Sequence, residues 1–128
     1  AFQAYPTLLE NDGVVPRQLL ASGRGVNLKH RDSRVAIGEL RDGRLLIVMT
    51  RFDALGQIAA SVPLGFTIRE MSALMGALGC RRAVSLDGGI SSQLSVREAD
   101  GTLRKWPGWR RVPLGLLVST RPLAASAR

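Results

Sequence analysis

Short apolar runs separated by turns rich in Gly, Asn and Asp dominate the chain, and one stretch repeats at helical period. Ala1 to Leu9 reads as extended, interrupted by Pro6, and Asn11-Asp12-Gly13 follows as a turn because all three residues tolerate positive φ. The polar stretch Ser22 to Ser33 reads as a loop. Val35-Ala36-Ile37-Gly38 is a short apolar strand, and Asp42-Gly43 is a strong hairpin signal. Leu45 to Met49 is a continuous apolar run, the pattern of a strand buried on both faces.

The helical stretch is the best-defined element. Thr67 and Glu70 form a T-x-x-E capping box, in which each side chain accepts the other residue's otherwise unpaired backbone N–H. Phe66 and Met71 occupy the staple positions beside that cap. Ile68, Met71, Leu74, Met75 and Leu78 then fall on one face, and Gly79 supplies the stop, predicting a helix over about 68–78. Ala83 to Leu86 is a buried strand running into Asp87-Gly88-Gly89. Ser92 to Arg97 alternates, Asp100-Gly101 turns it toward Leu103 to Trp106, and Val112 to Ser119 reads as a final apolar strand. The sum is an α+β fold: a mixed, mostly antiparallel sheet with one well-capped helix.

The length of 128 residues fits one domain, read here as 1–121 with a flexible small-residue tail at 122–128. No apolar run approaches the roughly 18 residues of a membrane span. The net charge is +8, and of 18 basic residues all but Lys29 and Lys105 are arginine. Such a charge guides anionic partners, although Arg-rich, Ala- and Leu-rich usage is also the mark of a GC-rich bacterial genome. The arginines are spread out, and only Lys105-Trp106 to Trp109-Arg111 interleaves basic residues with aromatics, a poor match to a nucleic-acid surface. One cysteine, Cys80, cannot form an internal disulfide, and one histidine, His30, excludes multi-histidine metal centres. No metal or cofactor is expected.

The chemistry concentrates at Asp87-Gly88-Gly89-Ile90-Ser91-Ser92. A carboxylate at a strand end, beside glycines whose N–H groups can approach a ligand and two hydroxyls, suits an anionic ester. The alternative is a plain turn in which Asp87 accepts its own downstream amides. Arg34 can present a planar fork to two phosphate oxygens, or pair with Asp32 or Glu39. His30 can donate a proton near neutral pH, or simply be solvated. Trp106 and Trp109 flank Pro107-Gly108 and either stack on a sugar or cover the core.

The order Arg34-Val-Ala-Ile-Gly38, hairpin, apolar strand, Gly65, capped helix closing in Leu78-Gly79, then Leu86-Asp87-Gly88-Gly89-Ile90-Ser91-Ser92 resembles the phosphodiester glycosidase family. That family reads R-x-A-I-G, strand, G-x-T-x-x-E-x-x, L-G and L-D-G-G-G-S-S, and Tyr5-Pro6-Thr7-Leu8-Leu9 is similar to its upstream P-x-L segment. The match runs from about Tyr5 to Ser119. Ile90 stands where the family has a third glycine, and Thr50-Arg51-Phe52-Asp53 replaces a strand-end Asp-Gly, with Asp53 as the shifted substitute. Family domains carry further strands before the P-x-L segment. The expectation is therefore a C-terminal part of a larger domain, completed by another segment or a separate chain.

The resemblance implies hydrolysis of a sugar-1-phosphodiester on a phosphorylated glycan or cell-envelope carrier, in a periplasmic or secreted setting. It implies Asp87 and Arg34 as catalytic residues, with Gly88, Gly89, Ser91, Ser92, His30 and Asp53 binding substrate. A homo-oligomer is allowed. The competing reading is an inactive module of the same fold that binds phosphorylated glycans or cell-wall polymers.

Overall fold

A computed structural model describes residues 6–20, 27–51 and 65–119. Six strands and two helices follow in chain order: β1 (Thr7–Leu9), α1 (Arg17–Leu20), β2 (Arg34–Leu40), β3 (Leu45–Thr50), α2 (Ile68–Ala77), β4 (Cys80–Ser85), β5 (Leu94–Arg97) and β6 (Leu103–Trp106). Four strands form one sheet in the order β1-β4-β2-β3, with every neighbouring pair antiparallel, and β5-β6 is a separate two-stranded ribbon. The α+β expectation holds.

Each turn signal closes the element it was read to close. Leu40 N–H donates to Arg44 O at 2.9 Å across the Asp42-Gly43 hairpin, and Glu98 N–H donates to Thr102 O at 2.8 Å across Asp100-Gly101. The capping box is formed in both directions, with Glu70 N–H donating to Thr67 Oγ1 at 3.2 Å and Thr67 N–H to Glu70 Oε2 at 2.8 Å. The helix ends one residue earlier than read, with Leu78 as its C-cap. Helix α1 has no counterpart in the sequence reading; a single turn is too short to show a period.

Helix α2 lies on β1, β4 and β2, and the core sits between them. Ile68, Met71 and Met75 are buried from α2, Leu8 and Leu9 from β1, Ala36 from β2 and Cys80 and Ala83 from β4. Each large side chain buried in this way contributes about 2 kcal/mol of hydrophobic stabilisation. Ser72 is buried among them, and its hydroxyl donates to Leu8 O at 2.7 Å, so the one polar group on that face is satisfied.

Three expectations are corrected. Leu78 is half exposed, because it caps α2 outside the packed face. β3 is not buried on both faces: among the described residues it is the last strand of the sheet, Leu45 and Ile47 face away from α2 and are exposed, and Leu46 and Val48 pack toward the core. Val112 to Ser119 forms no strand. Pro113 has no N–H for a ladder and Gly115 weakens strand pairing, and Leu114, Leu116, Leu117 and Val118 lie exposed. The 122–128 tail and Phe52-Asp53 lie outside the described residues.

Candidate active site

The antiparallel register of β2 and β4 pairs Ala36 with Ser85, and Leu86 N–H continues it by donating to Val35 O at 2.8 Å. Gly89 N–H donates in turn to Ser33 O, so the chain leaving β4 and the start of β2 meet at the same margin of the sheet. Across β2, Arg34 pairs with Thr50 at the end of β3, and its N–H donates to Thr50 Oγ1 at 3.0 Å.

Beyond Asp87 the chain folds into a 3-10 turn over Gly89–Ser91. Gly89 has φ of +63°, a conformation that L side chains rarely adopt. Its N–H donates to Ser33 O at 2.8 Å, and Ser33 Oγ donates back to Gly89 O at 2.8 Å. Ser33 Oγ also lies 3.2 Å from Ser92 Oγ. Because one hydroxyl has a single proton, both contacts are satisfied when Ser92 donates to Ser33. A Cβ on Gly88 would lie 2.8 Å from Ser33 O, so only glycine lets the turn rest on the Ser33–Arg34 backbone.

Asp87 is exposed and makes no hydrogen bond or ion pair among the described residues. The reading of a plain turn, with Asp87 accepting its own amides, is therefore not what the chain does. Arg34 divides its guanidinium. Nε donates to Phe66 O at 2.8 Å and Nη2 to His30 O at 2.6 Å, while Nη1 lies toward the turn, 3.7 Å from where a Gly88 Cβ would be. Burial pushes the Arg34 pKa down and the nearby Asp32 charge pulls it back up, and an arginine stays cationic throughout.

The row of consecutive amides expected for an anion nest is largely used within the fold. Gly89 N–H goes to Ser33 O, Ser91 N–H to Gly88 O and Ser92 N–H to Gly89 O, because a 3-10 turn bonds its own amides. The Gly88 N–H makes no backbone hydrogen bond among the described residues. Ser91 and Ser92 are buried, so they support the turn from beneath, while Ile90 stands out from the rim with 60% exposure.

Asp32 is the site residue that sequence reasoning missed. Its backbone pairs with Phe66, N–H to O at 3.3 Å and the reverse at 3.0 Å, which fixes it beside the start of α2. Oδ1 accepts from Ser33 N–H at 2.8 Å. Oδ2 lies against Gly89, 2.6 Å from the position of a Cβ there, and 3.5 Å from His30 Nε2. The sequence offered Asp32 only as an ion-pair partner for Arg34. Its place beside the turn depends on contacts between residues far apart in the chain.

Neighbouring polar groups serve the frame. Arg31 pairs with Glu70 at 2.5 Å and donates to Gly65 O at 2.8 Å, tying the same loop to the capped helix. Glu39 pairs with Arg81, not with Arg34. Trp109 N–H and Arg110 N–H donate to Ile90 O at 2.8 and 3.1 Å, holding the segment after β6 on the turn. Trp109 itself is exposed and does not cover the core. No group of three or more His, Cys, Asp or Glu side chains comes together among the described residues, so they offer no ready metal centre. No helix among them is long and apolar enough to cross a membrane.

An α+β sheet with a capped helix and a Leu86-Asp87-Gly88-Gly89 turn at its margin is the arrangement expected of a phosphodiester glycosidase domain. The chain matches that family over residues 1–119 and belongs to it. It is similar to the crystal structure of a hypothetical protein from Synechocystis, at 28% identity and a TM-score of 0.51, over 66% of this chain and 15% of that one. The chain thus covers only a small part of the length of that relative. No curated protein matches it.

Proposed function

We propose that the chain carries the catalytic turn of a hydrolase that cleaves a sugar-1-phosphodiester, releasing the sugar from a phosphate that stays on a glycan or cell-envelope carrier outside the cytoplasm. Membership of the phosphodiester glycosidase family supports a glycosidase-type activity. One observation carries the finer reading: the exposed Asp87 leads into a turn that has the Arg34 guanidinium beside Gly88 and the Asp32 carboxylate beside Gly89.

Glycoside cleavage ordinarily uses two carboxyl groups. Asp87 acts at the anomeric carbon, directly or through water. Arg34 Nη1 and the Gly88 N–H hold the phosphate. Asp32, with His30 Nε2 at 3.5 Å from its carboxylate, supplies the second carboxyl. In the balanced reaction the bond from the anomeric carbon to the phosphate oxygen breaks, water supplies the hydroxyl of the released sugar, and the phosphomonoester leaves with the bonding pair. A phosphate is a weak base, so protonating it matters less than stabilising its charge.

A second reading, an inactive binding module, is favoured by the protruding Ile90 and by the use of the turn's amides within the fold. Hydrolysis in oxygen-18 water separates the two. Label in the released sugar and none in the phosphate supports the proposal. Label in the phosphate marks a phosphodiesterase, and binding of the phosphodiester without turnover marks the inactive module.

A further inference from the structure

The chain contains four Asp-Gly dipeptides, Asp12-Gly13, Asp42-Gly43, Asp87-Gly88 and Asp100-Gly101. Such a pair is open to an internal reaction, because glycine has no Cβ to shield its amide nitrogen from the preceding carboxyl. The nitrogen bonds to the carboxyl carbon and closes a five-membered succinimide ring, and the carboxyl hydroxyl leaves with the amide proton as water. Water then opens the ring at either carbonyl. One opening restores aspartate; the other gives isoaspartate, with the main chain running through Cβ.

The fold restrains three of the four pairs. Gly13 N–H donates to Arg81 O at 2.9 Å, Gly43 N–H to Leu40 O at 3.0 Å and Gly101 N–H to Glu98 O at 3.0 Å. The Asp42 carboxylate accepts from Arg44 N–H at 3.1 Å and from Arg44 Nε at 2.7 Å, and Asp100 Oδ1 accepts from Thr102 N–H at 2.8 Å. Asp87-Gly88 has neither restraint. The exposed Asp87 carboxylate and the Gly88 N–H have no hydrogen-bond partner among the described residues. The Arg34 guanidinium also lies beside Gly88, and a cation there stabilises the negative charge that develops as the amide nitrogen attacks.

We propose that Asp87-Gly88 is a site of spontaneous covalent modification, at which the folded protein closes a succinimide and converts Asp87 to isoaspartate. The product has one more carbon in the backbone of the turn, and its carboxylate sits on Cα, one carbon shorter than before. The modification itself does not depend on the proposed hydrolase function. Its consequence does: if Asp87 is the reacting carboxylate, the change switches the site off.

The full chain is incubated at neutral pH, folded and in urea, and isoaspartate at each of the four pairs is followed by electron-transfer mass spectrometry of protease digests. In urea the four pairs should react at similar rates. In the folded protein Asp87 should lead Asp12 by about threefold or more, and Asp42 and Asp100 by about tenfold or more, because one or more hydrogen bonds must open first at those pairs. Asp87→Glu, which cannot close the five-membered ring, should show no product at that position. Asp87→Asn closes the same ring with loss of ammonia, so that variant is assayed fresh. A folded protein in which Asp87 reacts no faster than any one of the other three overturns the proposal, as does one that forms no isoaspartate while the urea-treated chain converts. On the same samples, kcat/KM for a chromogenic sugar-1-phosphodiester should fall in step with isoaspartate at position 87. Isoaspartate that accumulates there with kcat/KM unchanged removes the catalytic reading of Asp87 and leaves the modification site standing.

Discussion

The Asp32 carboxylate lies so close to Gly89 that a methyl group there would sit 2.6 Å from Oδ2. Two residues far apart in sequence are thereby made interdependent: the turn keeps its left-handed backbone only with glycine, and Asp32 keeps its position only while that glycine has no side chain.

Gly89→Ala should destabilise the protein by about 1–2 kcal/mol from its positive φ alone, with a further cost from displacing Asp32. Asp32→Ala removes the steric part. In urea unfolding, the Gly89→Ala cost should shrink by about 0.5 kcal/mol or more in the Asp32→Ala background. Strict additivity would show that the contact is not felt.

Arg34 joins two backbone carbonyls, Phe66 O and His30 O, that a lysine cannot reach together. Arg34→Lys should lower stability by about 2 kcal/mol, since hydrogen bonds from a charged donor contribute about 1.5–3 kcal/mol each and one of these is open to water. It should also weaken phosphate binding, because the strut and the turn share one guanidinium. An unchanged unfolding midpoint in Arg34→Lys would count against the strut.

At the start of α2, Thr67→Ala should cost about 1 kcal/mol by removing the N-cap. The Glu70 carboxyl is held below its ordinary value of 4.5, first by the Thr67 backbone N–H and then by Arg31. Its folded pKa is depressed, so the unfolded chain takes up the proton first. The contribution is present above the ordinary value and is lost as pH falls through the lower folded one. Thermal midpoints measured downward from that value should therefore fall more steeply in the parent than in Glu70→Gln. Parallel curves would show that the carboxylate is not what the cap uses.

Local chemistry was legible in the sequence, and long-range chemistry was not. The capping box, the Asp42-Gly43 and Asp100-Gly101 hairpins and the strand leading into Asp87 each depend on residues a few positions apart, and each formed. The Ser33–Gly89 clamp spans 56 residues, so no local pattern announces it or the Asp32 position beside it. The apolar run of β3 fits a buried strand as well as an edge strand, and only sheet order separates the two. Val112 to Ser119 has strand-like composition, but no described strand pairs with it. Arg34 was read as a phosphate fork; the carbonyls that take two of its nitrogens belong to loop backbone, which composition does not reveal.

The role of Asp87 is tested most directly by kcat/KM of Asp87→Asn on a chromogenic sugar-1-phosphodiester, with the thermal midpoint measured beside it. Asp87 is exposed and makes no hydrogen bond or ion pair among the described residues, so the midpoint should not move. A group acting as nucleophile or general base contributes about 10²-fold or more, and kcat/KM should fall by at least that much. A folded Asp87→Asn protein that keeps activity within about tenfold of the parent would contradict the assignment of Asp87 as the reacting carboxylate.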